Sequence, residues 1–243
     1  IKPYYDKVDK LVGVFGSNEG LPNDPDGFFL PAPKPRLHEL YFIEGARKSG
    51  VPVIPARKSM LTKRLNNERG VCFYCGQCSR ACGIHADFSS STALVYPALK
   101  GGQVDLFTNS MVREVTTNSE GLATGVSYIN KKDLKEYEMK GRIVVLAASA
   151  CSTARILLNS KSSQHENGLG NSSDHVGRYL HDSTGASRAA FIPDLMDRDI
   201  YNEDGVSGMH VYTPWWLDNA ALDFPRGYHL EIGGGMGMPQ VRV

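Results

Sequence analysis

Four of the five cysteines fall inside one short stretch, Cys72-Phe73-Tyr74-Cys75-Gly76-Gln77-Cys78-Ser79-Arg80-Ala81-Cys82, while Cys151 stands alone far downstream. Thiols this close cannot staple distant loops together, which argues against the disulfide scaffold of a small secreted domain. The order CxxCxxCxxxC has the spacing of the bacterial ferredoxin run, where a tight loop aims thiolates at an iron–sulfur cluster. In that run Pro follows the last cysteine, and the last cysteine serves the other cluster of a two-cluster protein. Gly83 follows here, so the ligand count stays open, and with it the choice between a 3Fe-4S and a 4Fe-4S cluster. An iron–sulfur cluster is the favoured reading of Cys72, Cys75, Cys78 and Cys82, because iron prefers sulfur and one loop can supply it. A structural zinc, which draws on cysteine pairs separated by a longer loop, is a second reading. Metal-free thiols, or one local disulfide packing a loop, make a third. Cys151 reads as a small buried hydrophobe.

The surroundings bound what such a segment can serve. The chain has 243 residues, 41% of them hydrophobic and 22% charged, enough for one sizeable core or two small ones. A net charge of +1 with scattered Lys and Arg gives no basic face, which speaks against nucleic acid and for a small-molecule partner. No apolar run approaches the roughly 20 residues of a membrane helix. The chain starts at Ile1 rather than Met, lacks the basic-then-apolar order of a signal peptide, and stops in Gly233-Gly234-Gly235-Met236-Gly237-Met238 without closing a recognisable unit. It is therefore expected to be an internal piece, and its compartment, periplasmic or cytoplasmic, stays open.

Periodicity predicts a helix over residues 4–14, with Tyr5, Val8, Leu11 and Val12 on one face and Gly13 or Gly16 as the stop. Residues 17–35, crowded with Gly, Pro, Asn and Asp, predict a long surface loop. A second helix follows from Leu37 to Gly50, then a short extended edge strand, Val51-Pro52-Val53-Ile54-Pro55. A third helix is predicted over residues 91–100, capped by Ser89, Ser90 or Ser91 and ended by Gly101-Gly102. Strands are predicted over residues 104–108, 111–117, 123–129 and 136–140, the middle two joined across Asn118-Ser119-Glu120-Gly121. The most apolar run, Ile143-Val144-Val145-Leu146-Ala147-Ala148, reads as a strand buried on both faces. Small residues from Ser149 to Thr153 then lead into a helix over 154–159, either as an ordinary connection or as a place where a phosphate approaches a helix N-terminus. From Ser183 the pattern alternates and turns aromatic, as in Met209-His210-Val211-Tyr212 and Tyr228-His229-Leu230-Glu231-Ile232, which predicts antiparallel strands.

The cysteine segment, the stretch from Arg142 to Asp182 and the order of elements between them resemble the glucose-methanol-choline (GMC) oxidoreductase family. The likeness is greatest to members with a CxxCGxCxxxC segment, among them sugar and sugar-acid dehydrogenases and some sterol and long-chain alcohol oxidases. It implies an α/β (α+β) chain: a portion of a Rossmann-like FAD-binding domain and an antiparallel-sheet substrate domain. On this reading residues 1–70 are a helical and loop segment joining the two, residues 71–182 carry the flavin-domain portion with the cysteines, and residues 183–243 begin the substrate domain.

The resemblance assigns Val112, within Leu106-Phe107-Thr108-Asn109-Ser110-Met111-Val112, a backbone contact to the adenine of FAD. Ala148 and Ser149 inherit a contact to its adenosine part. Where the family has Pro and Ser-Gly, this chain has Ala154 and Ser160-Lys161. The family's catalytic pair, a His with a second His or Asn in a C-terminal segment, and its GxGxxG do not occur in these residues, so no general base is nominated. His175, His181, His210 and His229 read as structural. The implied activity is oxidation of an alcohol group, that of a sugar or sugar acid, by hydride transfer to FAD, with electrons passing through the cysteine cluster to a cytochrome or small electron-transfer subunit. An oxidase with structural cysteines, a small electron-transfer or metal-binding protein, and a non-catalytic module derived from a flavoprotein are the alternatives.

Overall fold

The computed structural model describes residues 1–22, 24–197, 205–214, 223 and 227–233. Its mixed helices and sheets agree with the α/β (α+β) class. The chain divides into two compact units, residues 1–104 with 190–243, and residues 105–189. The cysteine segment therefore groups with the residues that precede it and with the aromatic stretch far downstream.

In the first unit, α1 (Lys2–Val12) ends at Gly13, whose φ of +79° is the left-handed cap that glycine adopts without penalty. Only Val12 of its apolar stripe is buried; Tyr5, Val8 and Leu11 are exposed. Then β1 (Val14–Gly16) pairs in parallel with β2 (Phe29–Pro31). That pairing corrects the uniform loop expected over residues 17–35. The strand escapes pattern reading because it is three residues long between Gly27 and Pro33, and Phe29 is held from outside by the Arg57 guanidinium 4.5 Å from its ring.

The second helix, α2 (Leu37–Lys48), opens with Glu39 accepting the Arg36 backbone N–H at 2.6 Å. The short β3 (Ile54–Pro55) is an edge strand, as expected, and pairs antiparallel with β7 (Val211–Thr213), which pairs with β8 (Leu230–Glu231). Antiparallel strands thus occur where the aromatic alternation predicts them. A wide π turn, Ser91–Val95, leads into α3 (Tyr96–Lys100), and Gly101 ends it; no serine side chain caps its start. The core of this unit is Phe15, Met60, Leu61, Ala86 and Val206, all nearly inaccessible, with Cys72, Cys78 and Cys82 packed against it.

The second unit is a meander, β4 (Ser110–Thr117), β5 (Ala123–Asn130) and β6 (Glu136–Lys140), with α4 (Ala150–Asn159) against β4. The hairpin turn is built by Asn118, whose Oδ1 accepts the N–H groups of Glu120 and Leu122. Two expectations fail. Residues 104–108 form no strand, because Asn109 (φ +57°) turns the chain just before β4 begins. Residues 143–148 form none either: among the described residues no strand pairs with them, and Ile143 and Val145 are 76% and 80% exposed. A doubly buried strand needs hydrogen-bonded neighbours on both edges, and hydrophobicity alone does not supply them.

Candidate functional site

The ends of the cysteine loop are pinned by backbone pairing: Leu61 N–H to Ala86 O at 3.0 Å, Gly70 N–H to Ile84 O at 2.8 Å and Cys72 N–H to Leu61 O at 2.8 Å. Arg69, 3% exposed, fastens the same base through Val12 O, His85 O and Ala86 O. Within this frame the backbone turns repeatedly through positive φ, at Tyr74 (+60°), Gly76 (+68°), Ala81 (+62°) and His85 (+58°). For the residues other than glycine this costs roughly 1 kcal/mol or more each, and persists only where the surroundings over-determine it. The result is that Cys72, Cys75, Cys78 and Cys82 all face one cavity of about 270 Å³, floored by Met60 and Ile84.

All four cysteines are half-buried free thiols, so the local disulfide does not form. Burial pushes the Cys72 thiol above its ordinary pKa, the Tyr74 N–H opposes that, and the neighbouring Cys78, Cys75 and Cys82 add to it. Ionisation of Cys72 is thus disfavoured unless positive charge enters the cavity. Two sulfurs already accept backbone N–H groups at 3.3 Å: Cys72 from Tyr74, and Cys78 from Ser207. Among the described residues no group of three or more His, Cys, Asp or Glu is placed to hold a metal ion.

The second donor comes from a strap, residues 205–210, that sequence reading left out of the site. Gly205 bridges Cys75 in parallel, donating N–H to Tyr74 O at 3.0 Å and accepting from Gly76 N–H at 2.9 Å. His210, 1% exposed, accepts the Val206 N–H on Nε2 at 3.0 Å, and its Nδ1 lies 3.0 Å from Lys34 O. Those partners assign the neutral tautomer with the proton on Nδ1. Burial lowers the His210 pKa, in agreement, although Glu39 opposes it from 3.4 Å. The structural reading of His210 therefore holds, and the glycines at 205 and 208 were the only local sign of a close backbone approach. Cys151, in contrast, is exposed in the first turn of α4, whose buried residue is Ile156.

In the second unit, Val112 lies half-buried on β4, and Ala148 and Ser149 are exposed where the chain enters α4. Ser149 (φ +71°, ψ 167°) occupies a region that is almost glycine-only, and its side chain does not cap the helix. The Ala148 N–H is taken by Thr153 Oγ1 at 3.3 Å. The bonds joining α4 to β4 run from its other end: Asn159 Nδ2 to Arg113 O at 3.4 Å, and Val115 N–H to Ser160 Oγ at 2.8 Å. The N-terminus of α4 thus has no side-chain cap and lies beside small exposed residues.

Residues 33–184 match the model of the GMC oxidoreductase N-terminal domain. The chain is 30% identical to 2-methyl-1,2-propanediol dehydrogenase of Mycolicibacterium austroafricanum, over 74% of this chain and 32% of that protein. It is 28% identical to the fructose dehydrogenase large subunit of Gluconobacter japonicus, over 76% and 34%. It is 23% identical to paromamine 6'-oxidase of Streptomyces fradiae, over 74% and 32%. The chain thus spans about a third of the length of the curated relatives it matches. With the family model covering more than half of its residues, the chain belongs to the GMC oxidoreductase family, whose members bind FAD.

Proposed function

We propose that the intact protein oxidises an alcohol group, with sugars and sugar acids as the first substrates to test, and passes the electrons through an iron–sulfur cluster on Cys72, Cys75, Cys78 and Cys82 to an external acceptor. The carrying observation is that all four cysteines line one cavity and that two of their sulfurs receive backbone N–H groups. Sulfur-only donors around a volume of this size suit a polynuclear group better than zinc, whose Zn–S bonds of about 2.3 Å demand a tight tetrahedron. Bound FAD would supply the hydride acceptor, with Val112, Ala148 and Ser149 along its adenosine end. Relatives named as dehydrogenases of a diol and of fructose support the donor class, and the match to a protein named a large subunit supports a cytochrome or small electron-transfer partner.

An oxidase with structural cysteines is the second reading. It is favoured by the packing of Cys72, Cys78 and Cys82 on the hydrophobic core and by the oxidase among the relatives. The intact protein separates the two when mixed with a panel of alcohols, sugars and sugar acids under either a dye acceptor or oxygen. Substrate-dependent dye reduction that Cys75→Ser abolishes, while substrate still bleaches the flavin, is the expected result. Equal turnover with oxygen, untouched by Cys75→Ser, would favour the oxidase.

A further inference from the structure

We propose that residues 205–210 back the cysteine loop, and that His210 is a positioning residue holding the Ser207 peptide N–H on Cys78 Sγ, which raises the reduction potential of the bound cluster. This rests on the iron–sulfur reading above. An N–H directed at a ligating sulfur favours the more negative, reduced state, and such hydrogen bonds are among the protein's means of setting cluster potentials.

The strap is built to deliver that amide. Two of its carbonyls are engaged by basic side chains, Ser207 O by Lys58 Nζ and Gly208 O by Arg36 Nη2, while Gly205 O and His210 O accept the backbone N–H groups of Gly76 and Ala56. Its amides are left for other partners: Val206 N–H goes to the imidazole and Ser207 N–H to the sulfur. Carbonyl oxygens turned toward four thiolates would repel them, so this division of partners has the sign that an anionic cluster requires.

The ring of His210 is the hub. One nitrogen holds the strap four residues upstream and the other bonds Lys34 O, while Glu39 Oε1 accepts the His210 backbone N–H at 2.8 Å. Gly205 leaves room for it: a Cβ there would stand 2.9 Å from both Cε1 and Nε2 of the ring. Nothing in the spacing of the cysteines announces this partner, because Ser207 and Cys78 lie 129 residues apart.

The test compares the intact holoenzyme with Ser207→Pro, which deletes the donating N–H, with His210→Asn, which cannot reach Val206, and with His210→Gln, whose amide oxygen can take the place of Nε2. Iron and acid-labile sulfide are counted per chain, and the midpoint potential is read by a redox titration followed by electron paramagnetic resonance. The expected result is a downward shift in Ser207→Pro and His210→Asn at unchanged iron content, with His210→Gln returned toward the parent value. A fully loaded cluster whose potential is the same in all four proteins would overturn the inference and leave the cluster reading standing. A parent protein without iron or sulfide would overturn the cluster reading itself. Should Ser207→Pro fail to fold, the contrast between His210→Asn and His210→Gln still decides.

Discussion

Arg69 and His210 show how much of the first unit depends on single buried polar side chains. Arg69 gives its guanidinium to three backbone carbonyls from two separate segments, and burial lowers its pKa without removing the charge. Arg69→Met would strand those carbonyls, and a loss of about 3 kcal/mol or more is expected in urea unfolding, since bonds to charged groups contribute roughly 1.5–3 kcal/mol each. His210 adds a pH dependence. Its native pKa lies below its ordinary 6.5, so the unfolded chain binds a proton that the native chain does not. That contribution is complete above about 6.5 and declines as the pH falls toward the native value. Glu39 behaves alike below 4.5: burial raises its pKa, but hydrogen bonds from Arg36 and His210 outweigh that and lower it. The urea midpoint is therefore expected to fall as the pH is lowered below 6.5, and His210→Gln to flatten that fall. A midpoint equally pH-dependent in the variant would contradict the assignment.

At the scale of elements, Ser160 joins α4 to the sheet by accepting the Val115 N–H at 2.8 Å while donating to Ile156 O at 2.7 Å. Both Ser160 and Val115 are buried, so Ser160→Ala leaves an amide without a partner, and a cost of about 1–3 kcal/mol is expected in thermal or urea unfolding. Local pattern made much of this unit legible. The hairpin follows from β-branched alternation on either side of Asn118 and Gly121, and β6 begins and ends where the sequence places it. What was not legible needed neighbours. Residues 143–148 have the composition of a buried strand, but a strand is a relation between chains, and no partner stands beside this one among the described residues. The β1–β2 pair was hidden for the opposite reason, since Phe29-Leu30-Pro31 is too short to show a period. The four cysteines were legible as a group from spacing alone, whereas the strap whose Ser207 N–H reaches Cys78 Sγ was not.

For the molecule as a whole, the chain divides into two compact units. Thiols, strap and the β3–β7–β8 sheet lie in one unit, and Val112, Ala148 and Ser149 lie in the other. Each unit carries one half of the proposed electron route, and among the described residues no helix is long and apolar enough to cross a membrane. The most direct test is the number of iron atoms and acid-labile sulfides per flavin in the intact protein purified without oxygen, with Cys78→Ala beside it. About three or four irons with matching sulfide, lost in Cys78→Ala while flavin remains, is the predicted result. A flavin-loaded, substrate-reducible protein with neither iron nor sulfide would contradict it.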